Sequence, residues 1–238
     1  MTLGLLARKK GMTTLLNDHG QAVAVTVLEA GPCAVLARRS READGYDALQ
    51  LGFEAAAHPE RLSKAERGHF AKAGLAAMRV VEEFRCTGAE TFTVGQILTV
   101  GGFAKGDRID VRGCVKGRGY QGVIKRWGKH GGPGSHGSHF HRTTGSIGQR
   151  TWPGRVFKNM KLPGQMGNVF RTIRGLEVVG IDPELHLLFV KGAVPGAKNA
   201  LIRVMNRSAD FATRYHAGQA PTTAVETATT PGEEAVSS

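Results

Sequence analysis

Between Ala22 and Glu54 the apolar positions come in short β-rich runs set off by turn signals. AVAVTVLEA (Ala22–Ala30) is dense in β-branched residues, CAVLARR follows the pair Gly31-Pro32, and YDALQLGFE, after Asp44-Gly45, alternates apolar with polar or small residues. These runs predict strands of an antiparallel barrel or meander, because the turns come too often for βαβ units. At Ser63 the texture changes. SKAERGHFAKAGLAAM places Ser63 and Glu66 in capping-box spacing and sets Phe70, Ala73 and Ala77 near one face, which predicts a short helix within residues 63–78.

Strand-like runs return in RVVEEFR, TFTVGQILTV and RIDVRG, and again in GLEVVGID and HLLFVKGAV, with Asp182-Pro183 as a turn. Between them, residues 112–174 hold neither period. They contain 14 glycines, with Trp127, Phe140, Trp152 and Phe157 set among basic residues. A structureless stretch of this length inside a compact domain is functional or disordered. The expected organisation is a β core from residues 1–113 and 175–207 and a Gly-rich basic extension over 114–174. A tail over 208–238 is too poor in apolar residues to order itself.

Charge sharpens this division. The 238-residue chain carries a net +12, and residues 112–174 contain 13 Lys and Arg with no Asp or Glu, leaving 19 basic residues against all 20 acidic ones elsewhere. The whole excess lies in one segment, which suggests a surface made for a polyanion. Cys33, Cys86 and Cys114 form no CxxC pair, so neither a disulfide framework nor a zinc ribbon is suggested and a reducing compartment fits best. No apolar run approaches the roughly 18 residues of a membrane span, and MTLGLLARKKGM is unlike a signal peptide. The expectation is a cytoplasmic protein with no membrane partner.

Three chemistries suggested by local motifs weaken on inspection. Gly117 to Gly122 match GxGxxG, yet VIKRWGKHGG follows and the next acid is Glu177, so the helix and ribose-binding carboxylate of a dinucleotide site are missing. His136, His139 and His141 have spacing that could bind a transition metal, but the segment offers no Cys, Asp or Glu to balance the cation or orient an imidazole. Ser135, Ser138 and Ser146 have histidines nearby and no local carboxylate to fix a tautomer. RNA fits all the features together: Lys and Arg meet phosphates, glycine permits close backbone approach, and aromatic, His and Arg planes stack on unpaired bases. The candidate RNA-binding cations are Arg112, Lys116, Arg118, Lys125, Arg126, Lys129, Arg142, Arg150, Arg155, Lys158, Lys161, Arg171 and Arg174. The candidate stacking and hydrogen-bonding residues are Tyr120, Trp127, His130, His136, His139, Phe140, His141 and Trp152. No catalytic residue, metal or cofactor is assigned; a metal- or nucleotide-dependent enzyme acting on nucleic acid is the competing class.

From Leu5 to Met205 the chain resembles the bacterial ribosomal protein L3 family. The resemblance rests on ARKKGMT (Ala7–Thr13), VTVLEAGPC (Val25–Cys33), GYDALQLGF (Gly45–Phe53), GHFAKAG (Gly68–Gly74), KGRGYQGVIKRWG (Lys116–Gly128), HGSHFHR (His136–Arg142), GSIG (Gly145–Gly148), PGRVFKNMKLPGQMG (Pro153–Gly167) and LLFVKGAVPG (Leu187–Gly196). It implies a mainly β fold: a translation-protein-type β-barrel core with a small helical insertion and a long irregular extension running through ribosomal RNA toward the peptidyl transferase centre. It also implies direct binding to 23S ribosomal RNA near its 3′ end, a role early in large-subunit assembly, and neighbouring proteins L14 and L19. In some members a glutamine just after GSIG is N5-methylated by a methyltransferase, and Gln149 holds that place. Arg150, Thr151 and Trp152 follow it where members vary, and the chain after Arg207 extends past the usual end and inherits nothing.

Overall fold

The computed structural model of the chain describes residues 3–17, 19–86, 88–207 and Tyr215. The expected flexible tail, Tyr215 apart, lies outside the described residues. The elements in chain order are β1 (Gly4–Leu16), β2 (Ala22–Ala30), β3 (Cys33–Arg39), α1 (Arg41–Asp44), β4 (Ala48–Ala55), α2 (Lys64–Ala73), β5 (Met78–Arg85) and β6 (Ile97–Leu98). They continue with β7 (Arg108–Cys114), β8 (Tyr120–Gln121), α3 (Val123–Trp127), β9 (Gly164–Gln165), β10 (Phe170–Asp182), β11 (Leu187–Lys191) and β12 (Leu201–Asn206). The protein is mainly β.

Six strands form a closed antiparallel ring in the order β1-β12-β7-β10-β11-β2, and β2 pairs back to β1. Closure leaves this sheet without an open edge. Strict alternation drives it where both neighbours are present: Ile109 and Val111 of β7 and Ile202 and Val204 of β12 point inward and are fully buried. The two longest strands bend at register shifts, between Lys9 and Gly11 in β1 and between Ile173 and Leu176 and again Val178 and Gly180 in β10. Such bulges let one strand serve two neighbours on a curved surface.

The second sheet, β5-β4-β3-β6, leaves the ring at the Gly31-Pro32 corner. Gly31 has φ +79, and a Cβ there would lie 3.0 Å from the Leu98 carbonyl oxygen, so the corner needs glycine. Leu5, Leu6, Leu28 and Val204 from the ring share one apolar cluster with Leu49, Leu51, Phe84 and Leu98 from the second sheet. Each large aliphatic side chain so buried contributes about 1.5–3 kcal/mol. Polar links cross the same seam. Arg8 donates from Nε and Nη2 to the two carboxylate oxygens of Glu54, at 2.6 and 2.7 Å, and Arg203 of β12 pairs with Glu82 of β5. The Arg8 guanidinium holds the Glu54 carboxyl below its ordinary range, chiefly through that hydrogen bond and against the opposing effect of burial.

Helix α2 has the capping box its sequence predicts: Ser63 accepts from the Glu66 amide, and the Glu66 carboxylate accepts from the Ser63 amide at 2.9 Å. It ends earlier than the apolar spacing suggests. Gly74 takes the left-handed conformation and caps the helix at Ala73, so Ala77 falls outside and Phe70 is the one buried residue of α2. TFTVGQILTV also departs from expectation, since only Ile97 and Leu98 pair and single 3-10 turns occupy Ala89–Thr91 and Val100–Gly102. β1 is a strand that the sequence pattern did not announce, and β10 starts at Phe170, before the GLEVVGID run.

Candidate nucleic-acid interface

The basic segment grows directly out of the ring. β7 and β10 pair as far as Cys114 and Phe170. The two chains then continue side by side: Val115 N donates to Val169 O at 3.0 Å, Asn168 N to Val115 O at 3.1 Å, Arg118 N to Met166 O at 2.8 Å and Met166 N to Gly119 O at 2.9 Å. Tyr120 and Gln121 then pair with Gln165 and Gly164 as β8 and β9. This stem closes tightly because Gly167, at φ +74, lies against the Lys116 carbonyl and leaves no room for a Cβ. At the root, Lys9 donates to Val194 O at 2.7 Å, and its ammonium pKa is lowered, first by burial and then by Lys116 nearby.

Beyond the stem, α3 makes a clasp. Its five residues lie between Gly122 and the left-handed Gly128 and bury Val123. Arg126 Nη1 and Trp127 Nε1 both donate to the Leu162 carbonyl at 2.8 Å, and the Arg126 guanidinium lies 5.0 Å from the centre of the Trp127 ring. These contacts bring Gly128 and Leu162 together, so residues 129–161 leave and return at one place.

Within that excursion, GGPGSHGSHFHR folds back on itself. Gly132 N donates to His141 O at 2.8 Å, and a His141 ring nitrogen lies 2.9 Å from the Pro133 carbonyl oxygen. Gly131 and Gly132 are required because a Cβ on either would overlap the His141 or Phe140 carbonyl. His136 and Gly137 both have positive φ at the tip. His141 thus braces the turn through its ring, and His136 lies at its tip. Among the described residues, no group of three His, Cys, Asp or Glu side chains is placed to hold a metal ion.

The side chains left outward are cationic and aromatic. Of the 13 basic residues, Arg126 and Lys129 are half-buried and Arg112, Lys116, Arg118, Lys125, Arg142, Arg150, Arg155, Lys158, Lys161, Arg171 and Arg174 are exposed. Among the aromatics, Tyr120, Trp127, Phe140, Phe157 and Phe170 are exposed and Trp152 is 81% so. His130, His136, His139 and His141 are exposed as well. Arg112 stacks over Phe170 at 5.4 Å and Arg155 over Phe157 at 5.7 Å. Gln149 is exposed beside a cleft of about 600 Å³ lined by Gly145 to Arg150 and Gly154 to Val156. The GxGxxG letters at Gly117 to Gly122 fall in the stem and lead into a five-residue helix, too short for the dinucleotide arrangement. Sequence reasoning did not single out Lys9 or the loop after β11, where Pro195 packs against Gly113 at the extension root. No local charge or periodicity distinguishes them.

A family model described as "Ribosomal protein L3" matches residues 67–186, which include most of α2, the stem and the whole extension. Relatives align over most of the chain as well. The large ribosomal subunit protein uL3 of Geobacter metallireducens is 48% identical over 202 residues, covering 85% of this chain and 96% of that protein. The chain belongs to the ribosomal protein L3 family. Its similarity to the uL3 proteins of Syntrophotalea carbinolica, 50% over 205 residues, and Magnetococcus marinus, 49% over 205 residues, covers 86% of this chain and 97% and 95% of those proteins. In this L3-family chain, no residue of 114–174 belongs to the apolar cluster that joins the two sheets.

Proposed function

We propose that this protein is a non-enzymatic structural constituent of the large ribosomal subunit that binds 23S ribosomal RNA through the extension. One observation carries the reading: a stem and clasp hold outward a set of cations and aromatic planes, with no carboxylate among them. Desolvated carboxylates would repel phosphate; exposed Arg, Lys, Trp and Phe on a glycine-rich backbone can follow a folded RNA closely. The residues fall into two roles. About half of the 13 cations of residues 112–174 meet phosphates, while Tyr120, Trp127, Phe140 and Trp152 offer planes to unpaired bases, with the histidines as donors between them.

The β core over residues 1–113 and 175–207 is a translation-protein-type barrel that stays outside the RNA, while residues 114–174 penetrate toward the peptidyl transferase centre and support early assembly. Any effect on peptide-bond formation passes through RNA positioning. L14 and L19 are the neighbouring proteins, and the exposed Gln149 amide is the acceptor for a glutamine methyltransferase. The site of action is the ribosome of the cytoplasm.

The test is sedimentation of the tagged full-length chain from a cell lysate, with sequencing of its crosslinked RNA. Co-migration with large subunits and crosslinks in 23S RNA support the reading. Migration apart from large subunits, or bound metal or nucleotide in stoichiometric amount, would favour the competing enzyme class.

A further inference from the structure

Helix α2 joins β4 to β5 and has two unlike faces. The inner one carries Phe70, its one buried residue, and His69, whose ring Nε2 lies 2.6 Å from Gln50 Oε1 of β4. The outer one carries Lys64, Arg67, Gly68 and Ala71, which share a face at the i, i+3, i+4 and i+7 spacing and are all exposed. Arg61, in the 3-10 turn Pro59–Arg61 just before the helix, and Lys72, in its last turn, are exposed at the two ends. Other cations of the second sheet are engaged: Arg38 with the Glu90 carbonyl, Arg39 with Asp44, Arg79 with Glu54 and Arg85 with the Tyr46 ring. Among the described residues, the side chains of Arg61, Lys64, Arg67 and Lys72 make no such contact. Between Arg61 and Lys72 the one carboxylate is Glu66, and it is committed to the cap, accepting from the amide and the hydroxyl of Ser63 at 2.9 Å each.

Two of the outward residues work against the helix that carries them. Lys64 stands at the first helical position, where the helix dipole disfavours a cation. Gly68 stands in the interior, where glycine is less stable than alanine; a Cβ there would meet nothing within 4 Å, so no contact within the fold requires its absence. A face that met only water would gain from an acid at position 64 and an alanine at position 68. We propose that this face is a second RNA-binding surface, separate from the extension, on which Arg61, Lys64, Arg67 and Lys72 meet phosphates of ribosomal RNA and Gly68 lets the RNA backbone lie close against the helix. Charge complementarity selects the occupant, since exposed cations around a single, engaged carboxylate suit a polyanion. The outer face offers no aromatic plane, so it holds backbone and does not read bases. The inference rests on the ribosomal reading, which supplies the RNA.

The test titrates the full-length protein with a 23S transcript at several salt concentrations. Lys64→Gln, Arg67→Gln and Lys72→Gln together should weaken binding at low salt by about tenfold and make the slope of log K against log salt shallower by about 2, because up to three phosphate contacts are lost. The thermal midpoint of this triple variant should stay within about 5 °C of the original, since all three positions are exposed. Gly68→Gln should move two readings in opposite directions. Its midpoint should rise by about 2 °C, because glutamine is the better helix former, while its RNA affinity falls at least about threefold at an unchanged slope, because a side chain now stands between helix and RNA. Native binding with a triple variant unchanged in slope and affinity would overturn this surface and leave the role of the extension standing, as would Gly68→Gln binding as tightly as the original. A native protein that does not bind the transcript would overturn both readings. Within crosslinked large subunits, an α2 peptide joined to RNA supports the proposal, and one joined to a protein in place of RNA would sink it.

Discussion

Replacing residues 129–161 by a four-residue Gly-Ser linker should leave a folded protein with a specific loss of RNA binding. None of residues 129–161 is buried, and none belongs to the shared apolar cluster. Their ends are already held together, because Arg126 and Trp127 both grip Leu162. Shortening a flexible loop of this length to four residues changes closure entropy by only about 2 kcal/mol, in the stabilising direction. The ring should therefore unfold cooperatively, at a midpoint no lower than that of the intact chain. Binding behaves differently. The replacement removes Lys129, Arg142, Arg150, Arg155, Lys158 and Lys161 from the 13 cations, together with Phe140 and Trp152. If about half of all the cations meet phosphates, log K against log salt should have a slope of about −5 for the intact chain and about −3 for the shortened one. Circular dichroism melts and titrations of a 23S fragment at several salt concentrations measure both quantities. An unfolded variant would refute the independence of core and extension, and an unchanged slope with unchanged affinity would refute the role of the extension.

Other expectations follow from single contacts. Replacing His136, His139 and His141 together by Asn should move the thermal midpoint by no more than about 5 °C, since exposed positions rarely exceed ~0.5 kcal/mol each, and a chelator should have no effect; a stoichiometric metal lost in this variant would contradict the turn reading. Gly132→Ala places a methyl group on the Phe140 carbonyl, so RNA affinity should fall while the melt of the core stays unchanged, as fluorescence binding and calorimetry would show. Glu54→Gln should cost roughly 1 kcal/mol at neutral pH by breaking the part-buried link to Arg8. Because the folded carboxyl pKa is depressed from 4.5, that difference is complete above the ordinary value and disappears as pH falls through the lower one. Urea midpoints for both proteins from pH 7 to pH 3 give the comparison, and a gap that widens in acid would contradict the assigned direction.

What could be read in the sequence was whatever is encoded locally. β2 is dense in β-branched residues, β3 and β4 are apolar runs set off by the turns at Gly31-Pro32 and Asp44-Gly45, and the α2 capping box needs only Ser63 and Glu66 at the right spacing. β1 escaped because its bulge between Lys9 and Gly11 breaks the alternation and its second half is largely exposed. Barrel and meander could not be separated because closure depends on β1 pairing with β12, from opposite ends of the chain. β12 alternates well, but its inward positions include Asn206, whose amide donates to Asp107 at 3.3 Å, a partner no local pattern reveals. The candidate interface was legible as a charge anomaly over residues 112–174. Its shape was not: the stem joins residues 115–121 to 164–169 through backbone atoms, and the clasp depends on one carbonyl at Leu162.

The most direct measurement is ultraviolet crosslinking of the chain within purified large subunits, with mass spectrometry of the peptides that carry RNA. Peptides containing Phe140, Trp152 and the His136–Arg142 turn should bear nucleotides of 23S RNA, far more often than those from the second sheet around Leu49 to Phe53. Crosslinks confined to the second sheet, with the exposed aromatics of the extension unmodified, would contradict the account.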